Sequence, residues 1–273
     1  MTIREALKRA QGQLDTASIA GGRLDSELLL AYVKRRDRAW VLAHDDDALS
    51  AAESKQFTGL INRRADHIPV VHLTGTREFY NLDLEITPDV LTPRIETEQM
   101  VEWAVKYAPP GSHLIDVGTG SGAIAIAIAR HRKDLLITAT EVSPNALAVA
   151  QRNSRKHDVT IDFVLSDLWQ SVPGMFQTVV TNLPYLTDDA KSQLMPEVRR
   201  EPDVALFGGS DGLELYRRFL HGIPEHLDAG GYVFTESDPW QHDSLIEIAS
   251  TSHLQPVEKG YFILGFKLSN PSL

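Results

Sequence analysis

Cysteine is absent from the 273-residue sequence, and so is any long apolar run. Without cysteine the chain has no disulfide, no thiolate zinc site and no cysteine nucleophile. A membrane-spanning helix needs about 18 or more consecutive apolar residues, so none is predicted. The first residues are amphipathic and lack an apolar segment followed by a cleavage site, which predicts no secretion signal. We therefore expect a cytoplasmic protein.

The sequence also lacks an excess of positive charge. It has 27 lysines and arginines against 37 aspartates and glutamates, a net charge of −10. Residues 1–75 carry a net charge of +1 and residues 76–273 carry −11. Binding to a nucleic-acid backbone depends mainly on Lys and Arg, so no direct nucleic-acid partner is expected. The ten histidines lack the spacing of metal ligands, and no metal site is predicted.

Helical periodicity dominates the first part of the chain. Apolar residues that recur at helical spacing include Leu24, Leu28, Leu29 and Tyr32. Asp25 or Ser26 is the expected N-cap of the helix that carries them, and Ser50 with Glu53 forms a capping box for a later helix. We predict a small helical domain over residues 1–75.

A different pattern follows this domain. Residues 78–80 and 82–86 predict two short strands with a tight turn at Asn81, within a connector over residues 76–92. Over residues 93–273 short apolar strands alternate with helices, which predicts an α/β domain with a mostly parallel sheet. The last two strands are separated by too few residues for a helical crossover, so they should form an antiparallel hairpin.

Local signals mark two helix ends in this α/β domain. Ser143 followed by Pro144 predicts a helix start, because serine caps the free N–H groups and proline fits the first helical position. The run Asp228-Ala229-Gly230-Gly231 predicts the end of a helix before a strand that begins at Tyr232.

The first chemical signal is a glycine-rich turn, Asp116-Val117-Gly118-Thr119-Gly120-Ser121-Gly122, between a strand and a helix. Glycine permits positive φ and close approach of a ligand to the backbone, and the following helix offers free N–H groups. Glu141 ends the next strand, where it can accept hydrogen bonds from two ribose hydroxyls. The turn and this acid together predict a nucleoside cofactor.

The glycine turn alone does not identify the cofactor, because it also fits the relaxed dinucleotide fingerprint. Asp116 suits a ligand with an ammonium group, which S-adenosylmethionine has and a pyrophosphate lacks. Asp167, after the third strand, is placed to accept from an adenine amino group, with Leu168 lining the ring pocket. The alternative for Asp167 is a loop acid that caps the next turn.

The most specific motif is Asn182-Leu183-Pro184-Tyr185, directly after a strand. The Asn182 side chain and the Leu183 backbone each offer a carbonyl, Pro184 stiffens the loop and Tyr185 presents a flat ring. Two acceptors beside a flat ring suit a planar –NH₂ group, whose nitrogen they would direct toward a sulfonium methyl group. The alternative is an ordinary Asn-x-Pro turn.

These motifs resemble class I S-adenosylmethionine-dependent methyltransferases, and the whole chain resembles the release-factor glutamine methyltransferases (PrmC/HemK family). Beside the glycine turn and the Asn182 motif, the matching segments are Arg23-Leu24-Asp25-Ser26-Glu27-Leu28-Leu29, Thr74-Gly75-Thr76-Arg77-Glu78-Phe79-Tyr80, Leu91-Thr92-Pro93-Arg94-Ile95-Glu96-Thr97-Glu98, Glu201-Pro202 and Gly208-Gly209-Ser210-Asp211-Gly212-Leu213. The resemblance implies a five-helix domain that docks the protein substrate and a seven-stranded Rossmann-like catalytic domain.

The resemblance also implies a reaction, a cofactor and a partner. The enzyme would methylate the glutamine amide in the Gly-Gly-Gln motif of class 1 peptide-chain release factors, acting as a monomer. The residues that would bind S-adenosylmethionine are Asp116, Gly118, Thr119, Gly120, Ser121, Gly122, Glu141, Asp167, Leu168 and Asn182. The residues that would hold the glutamine are Asn182, Leu183, Pro184 and Tyr185.

The chain departs from the family pattern at three places. Leu183 replaces the first proline of Asn-Pro-Pro-Tyr, Ile95 replaces the second proline of Ile-Pro-Arg-Pro, and residues 259–262 replace the usual C-terminal pattern. Asn-Leu-Pro-Tyr also resembles ribosomal RNA adenine dimethyltransferases, which makes an RNA base the main alternative substrate. A different protein-glutamine methyltransferase, a non-catalytic translation adaptor and a nicotinamide oxidoreductase are further alternatives.

Overall fold

A computed structural model describes residues 1–269 of the chain. These residues form two compact units, of which the first comprises Met1–Thr76 and Met195–Arg200 and the second comprises Arg77–Leu194 together with the described residues from Glu201 onward. Among the described residues, none of the helices combines the length and apolar character needed to cross a membrane.

The first unit is helical. Its helices are α1 (Ile3–Thr16), α2 (Gly22–Lys34), α3 (Arg38–Ala43), α4 (Ala51–Ala65) and α5 (Val70–Thr74). The predicted capping box at the start of α4 is confirmed, because the Ser50 hydroxyl accepts from the Glu53 N–H and the Glu53 carboxylate accepts from the Ser50 N–H. The predicted N-cap of α2 is wrong. Gly21, with φ of +80°, is the N-cap, and Ser26 lies inside the helix, where its hydroxyl donates to the Gly22 carbonyl.

A buried cation joins the Met195–Arg200 segment to the helices. The Arg64 guanidinium donates to Asp25 at 2.7 Å and to Glu197 at 2.8 Å, and it is almost completely buried. A buried charge is tolerated only when it is paired. The two carboxylates therefore fix the position of this segment against the α2 and α4 helices.

Two strands, β1 (Thr76–Phe79) and β2 (Leu82–Glu85), pair as predicted in a small hairpin. Tyr80 and Asn81 both have positive φ, at 49° and 60°. This is the backbone twist that favours a two-residue hairpin turn.

A seven-stranded sheet within the described residues forms the centre of the second unit. Its strands are β3 (His113–Val117), β4 (Leu136–Glu141), β5 (Asp162–Leu165), β6 (Phe176–Thr181), β7 (Leu227–Glu236), β8 (Leu254–Lys259) and β9 (Ile263–Leu268). The strand order is β5-β4-β3-β6-β7-β9-β8, parallel from β5 to β7 and antiparallel at β9 and β8. The predicted parallel sheet with a C-terminal antiparallel hairpin is confirmed.

Helices flank this sheet. They are α6 (Glu98–Tyr107), α7 (Ala123–His131), α8 (Pro144–Lys156), α9 (Glu214–His226) and α10 (His242–Thr251). The predicted start of α8 is confirmed, with Ser143 as N-cap and Pro144 in the first turn. The predicted start of the following strand at Tyr232 is wrong, because β7 already begins at Leu227 and includes Gly230 at φ of +78°.

Candidate functional site

A cavity of about 320 Å³ lies in the second unit, lined by residues that follow the carboxyl ends of the parallel strands. Strands β3 and β6 are neighbours in the sheet, although β4 and β5 separate them in sequence. The strand order reverses at such a point, and open α/β sheets bind ligands there. The predicted site residues that line the cavity are Gly118, Thr119, Gly120, Ser121, Glu141, Asp167, Leu168, Asn182, Leu183 and Pro184.

The glycine turn has the backbone that its sequence predicts. Gly118, Gly120 and Gly122 have φ values of +77°, +57° and +83°. The N–H groups of Gly118 and Thr119 both donate to the Thr140 carbonyl, at 2.9 and 2.8 Å, which fixes the turn against β4. Gly122 does not line the cavity; a Cβ there would approach the Ile126 side chain to 2.9 Å. Its small size therefore serves the packing of α7.

Glu141 ends β4 and is held by the backbone. Its Oε2 accepts from the Gly120 N–H at 2.9 Å, and its Oε1 accepts from the N–H groups of Val142 and Ser143 at 2.9 and 3.0 Å. A carboxylate offers about four acceptor positions. One position on Oε2 thus remains for a ligand hydroxyl at the cavity wall.

Asp116 lies behind the turn and not on the cavity wall. Its side chain is fully buried, and its Oδ2 accepts from the Thr119 hydroxyl at 2.7 Å and from the Ala125 N–H at 3.3 Å. Burial raises the pKa of this carboxyl to about 7. The geometry gives Asp116 a role in supporting the turn, and its contact with a ligand ammonium group stays a prediction.

Asp167 and Leu168 line the cavity beyond β5. The Asp167 carboxylate accepts from the Arg218 guanidinium at 2.7 Å, in an ion pair that is partly open to solvent. Leu168 has a positive φ of 49°, and its carbonyl accepts from the Ser166 hydroxyl at 2.9 Å. These contacts hold an apolar side chain and an acid on the same wall of the cavity.

The predicted amide-binding loop begins where β6 ends. Asn182, Leu183 and Pro184 line the cavity. Tyr185 is not among the described lining residues; its ring packs against the hydrophobic core instead. Burial, together with the nearby Glu236 carboxylate, raises the pKa of Tyr185 far above its ordinary value. The phenol therefore stays neutral, and the loop residues expected to offer carbonyl acceptors at the cavity wall are Asn182 and Leu183.

The segment around residues 206–212 clamps this loop. The Leu186 N–H donates to the Leu206 carbonyl at 3.0 Å, and the Gly208 N–H donates to the Leu186 carbonyl at 2.9 Å. The Gln241 side chain donates to the Tyr185 carbonyl at 2.9 Å. A Cβ at Gly212 would come within 2.1 Å of that same carbonyl. The backbone of the loop is therefore fixed on both sides.

The Gly212→Ala substitution should displace this loop. Gly212 has φ of +74°, so alanine there combines backbone strain with a clash against the Tyr185 carbonyl. We expect a loss of more than about 3 kcal/mol in the free energy of unfolding, measured by urea denaturation, together with reduced activity.

Gly111→Ala is the matched control for this substitution. Gly111 has a similar φ of +69°, but a Cβ there would meet no atom within 4 Å. Only backbone strain of about 1–2 kcal/mol is then expected, with normal activity. Equal losses for the two variants would contradict the clamp.

Sequence reasoning missed a buried group beside the loop. Glu236 ends β7 with 2% of its surface exposed, and its Oε2 accepts from the Thr97 hydroxyl at 2.6 Å. Burial raises the pKa of its carboxyl above the ordinary value, although the Thr97 hydroxyl and the neighbouring Asn182 amide act to lower that pKa. One feature of the sequence could have identified Glu236. It is an acid at the end of a predicted apolar strand, and the same position identified Glu141.

Two family models match the chain. The PrmC N-terminal domain matches residues 5–75, and the methyltransferase small domain matches residues 98–201. The chain is 36% identical to the release factor glutamine methyltransferase of Geobacter sulfurreducens, over 91% of this chain and 88% of that protein. It is 38% identical to the protein of the same name from Coxiella burnetii, over 86% of each chain.

Solved structures share the fold. A methyltransferase from Pyrococcus furiosus superposes with a TM-score of 0.54 at 19% identity, over 76% of this chain and 98% of that one. A 16S rRNA methyltransferase from T. thermophilus, in complex with AdoMet and guanosine, superposes with a TM-score of 0.52 at 15% identity. The match covers 72% of this chain and 50% of that one. At these identities the likeness supports the fold and not the substrate.

Proposed function

The chain belongs to the release factor glutamine methyltransferase family, and from this premise we propose that it methylates the side-chain amide of the glutamine in the Gly-Gly-Gln motif of class 1 release factors. S-adenosylmethionine is the methyl donor in this proposal, and the cytoplasm, where translation takes place, is the site of action. One observation carries the proposal: Asn182 and Leu183, the two residues expected to offer carbonyl acceptors, line the same cavity as the glycine turn and Glu141.

The cavity wall fits S-adenosylmethionine. Glu141 keeps one acceptor position for a ribose hydroxyl, and Leu168 offers an apolar surface for the adenine ring. The two arginines of the wall, Arg94 and Arg218, are each paired with a carboxylate, and that neighbouring negative charge disfavours a pyrophosphate. The cofactor would supply an electrophilic methyl group on a positively charged sulfur.

The chain's own contribution to the reaction is positioning. The Asn182 side-chain carbonyl and the Leu183 backbone carbonyl each accept one N–H of the substrate amide and so fix the direction of its nitrogen. As the nitrogen is methylated it becomes more positive and both hydrogen bonds strengthen; one N–H proton then passes to water, which leaves the neutral N-methyl amide. Fixed acceptors that are present before the reaction lower the barrier without reorganisation of the site.

The alternative of a ribosomal RNA adenine methyltransferase has less support. The relatives that align over about nine-tenths of the chain are named for release factor glutamine. The region from residue 76 onward carries a net charge of −11, which disfavours contact with an RNA backbone.

A labelling experiment separates these substrates. The purified protein is incubated with methyl-labelled S-adenosylmethionine and either purified release factor or ribosomal RNA. Label in the release factor alone supports the proposal, whereas label in RNA alone contradicts it.

We also propose that residues 1–75 dock the release factor, residues 76–92 connect, and residues 93–273 hold the cofactor and the reacting glutamine. The α2 helix exposes Leu24, Leu28 and Tyr32, of which Tyr32 is 44% exposed. Their spacing of four residues places them on one helix face. An exposed apolar stripe of this kind is typical of a protein-binding surface.

The docking role predicts a change in KM. The double variant Leu28→Ser and Tyr32→Ser should raise the KM for intact release factor by about tenfold, because docking energy from remote contacts is lost. Val257→Ser, a single apolar-to-serine change at an exposed site on β8 outside the α2 surface, is the control. Unchanged KM in the double variant, measured by steady-state methylation, would contradict docking by α2.

A further inference from the structure

A buried carboxylate adjoins the amide-binding loop. Strands β6 and β7 are parallel, and their register pairs Thr181 with Thr235. The next residues along the two strands are Asn182 and Glu236, so these side chains leave the sheet at the same edge. Glu236 is almost fully buried, and the neighbouring Asn182 amide stabilises its ionised carboxylate, lowering the pKa of that group.

Other groups fix this carboxylate and the neighbouring backbone. The Thr97 hydroxyl, itself buried, donates to Glu236 at 2.6 Å. The fully buried Tyr216 hydroxyl lies 3.1 Å from the Leu183 carbonyl and donates to the Glu236 backbone carbonyl. The end of β7 is thereby connected to both acceptors of the loop.

The chemistry of the pair determines which end of the Asn182 amide faces the cavity. An amide has a donor end and an acceptor end of nearly equal size, whereas an ionised carboxylate only accepts. Glu236 can therefore bind only the Nδ2 end of Asn182. The Oδ1 end is then left for the substrate.

We propose that Glu236 is a positioning residue that holds the Asn182 amide with its carbonyl oxygen toward the substrate nitrogen. This inference rests on the proposed function, since it assigns Glu236 a task in presenting the glutamine amide. Glu236 does not itself line the cavity, and it acts through Asn182.

The ionised form of Glu236 is the active one. A protonated carboxyl can donate to the Oδ1 end of Asn182, which permits the reversed amide. Burial is the largest effect on the Glu236 carboxyl and gives a net increase in its pKa; Thr97, Asn182 and Arg94 act to lower this pKa, and Glu96 acts to raise it. Activity should thus be present above this raised pKa and be lost as the pH falls through it.

The test compares Glu236→Gln with the wild-type enzyme on intact release factor. Glutamine keeps the shape but can donate as well as accept, so both orientations of Asn182 become possible. We expect kcat to fall by at least about tenfold, because one acceptor is no longer fixed. The KM for release factor and the Kd for S-adenosylhomocysteine, measured by calorimetry, should stay within about twofold. The acidic limb of the pH profile for kcat should also flatten.

Glu258→Gln is the matched control. Glu258 lies on the edge strand β8 and bonds the Tyr107 hydroxyl, away from the cavity. Its kcat and pH profile should equal those of the wild type.

A second pair of variants covers the case in which Glu236→Gln does not fold. Thr97→Val removes the hydroxyl that fixes the carboxylate, and Thr97→Ser keeps it. We expect a lower kcat for the valine variant and recovery in the serine variant.

The outcomes distinguish this inference from the proposed function. Wild-type methylation of the release factor with a kcat for Glu236→Gln within twofold overturns the inference alone. A pH profile of Glu236→Gln that keeps the wild-type acidic limb also overturns it. Absence of release factor methylation by the wild type overturns the proposed function and, with it, the inference.

Discussion

Replacing Asn182 by alanine should lower methyl transfer by at least ~100-fold, because the substrate nitrogen loses an acceptor that is fixed before the reaction. The affinity for S-adenosylmethionine should change far less if the contact of Asn182 with the cofactor is secondary. Single-turnover methylation of the release factor and calorimetric titration of the cofactor measure the two quantities separately.

Asn62→Ala is the control for this variant. Asn62 is an exposed residue of α4 that bonds Gln13 on α1. Its removal should leave the rate of methyl transfer unchanged. If Asn182→Ala retained activity within a few-fold of the wild type, the loop would be a structural turn and the proposed mechanism would fail.

Replacing Glu141 by alanine should weaken the binding of S-adenosylmethionine by about 2–3 kcal/mol, because a charge-assisted hydrogen bond to the ribose is lost. Part of the loss would come from the glycine turn, since the Gly120 N–H donates to this carboxylate. Glu141→Gln keeps an acceptor without the charge and should fall between the alanine variant and the wild type. Calorimetry that detected NAD binding and no S-adenosylmethionine binding would contradict the cofactor assignment.

The elements that the sequence predicts well are those with a strong local signal. The strands of the parallel sheet are short apolar runs, and the last hairpin follows from a connection that is too short for a helix. The glycine turn requires positive φ at Gly118 and Gly120, and this turn lies where a strand ends. Glu141 ends such a strand and Asp167 and Asn182 follow one, and for this reason the three residues meet in one cavity.

The remainder depends on contacts between distant parts of the chain. Thr97, Asn182 and Glu236 come together only because β6 and β7 are neighbours and the segment before α6 packs beside them. Gln241 reaches the Tyr185 carbonyl across 56 positions of sequence, which no local pattern reports. The same holds for Asp116, whose position in the chain suggested a ligand contact but whose carboxylate is buried behind the turn.

Two local predictions failed because tertiary structure overrides propensity. Asp25 and Ser26 are good capping residues, yet α2 begins earlier, and Asp25 instead pairs with the buried Arg64. The glycines at 230 and 231 suggested a loop, but pairing with β6 extends β7 back to Leu227. A register shift opposite residues 176–178 accommodates the irregular backbone.

The proposed mechanism requires the cavity to present one glutamine amide of a release factor for methylation. Tandem mass spectrometry of release factor after reaction with the wild-type enzyme and methyl-labelled S-adenosylmethionine tests it most directly. We predict a single added methyl group on the side-chain nitrogen of the glutamine in the Gly-Gly-Gln motif, and none in a release factor whose motif glutamine is replaced by glutamate. A methyl group at another residue, or equal labelling of the glutamate variant, would contradict the proposed mechanism.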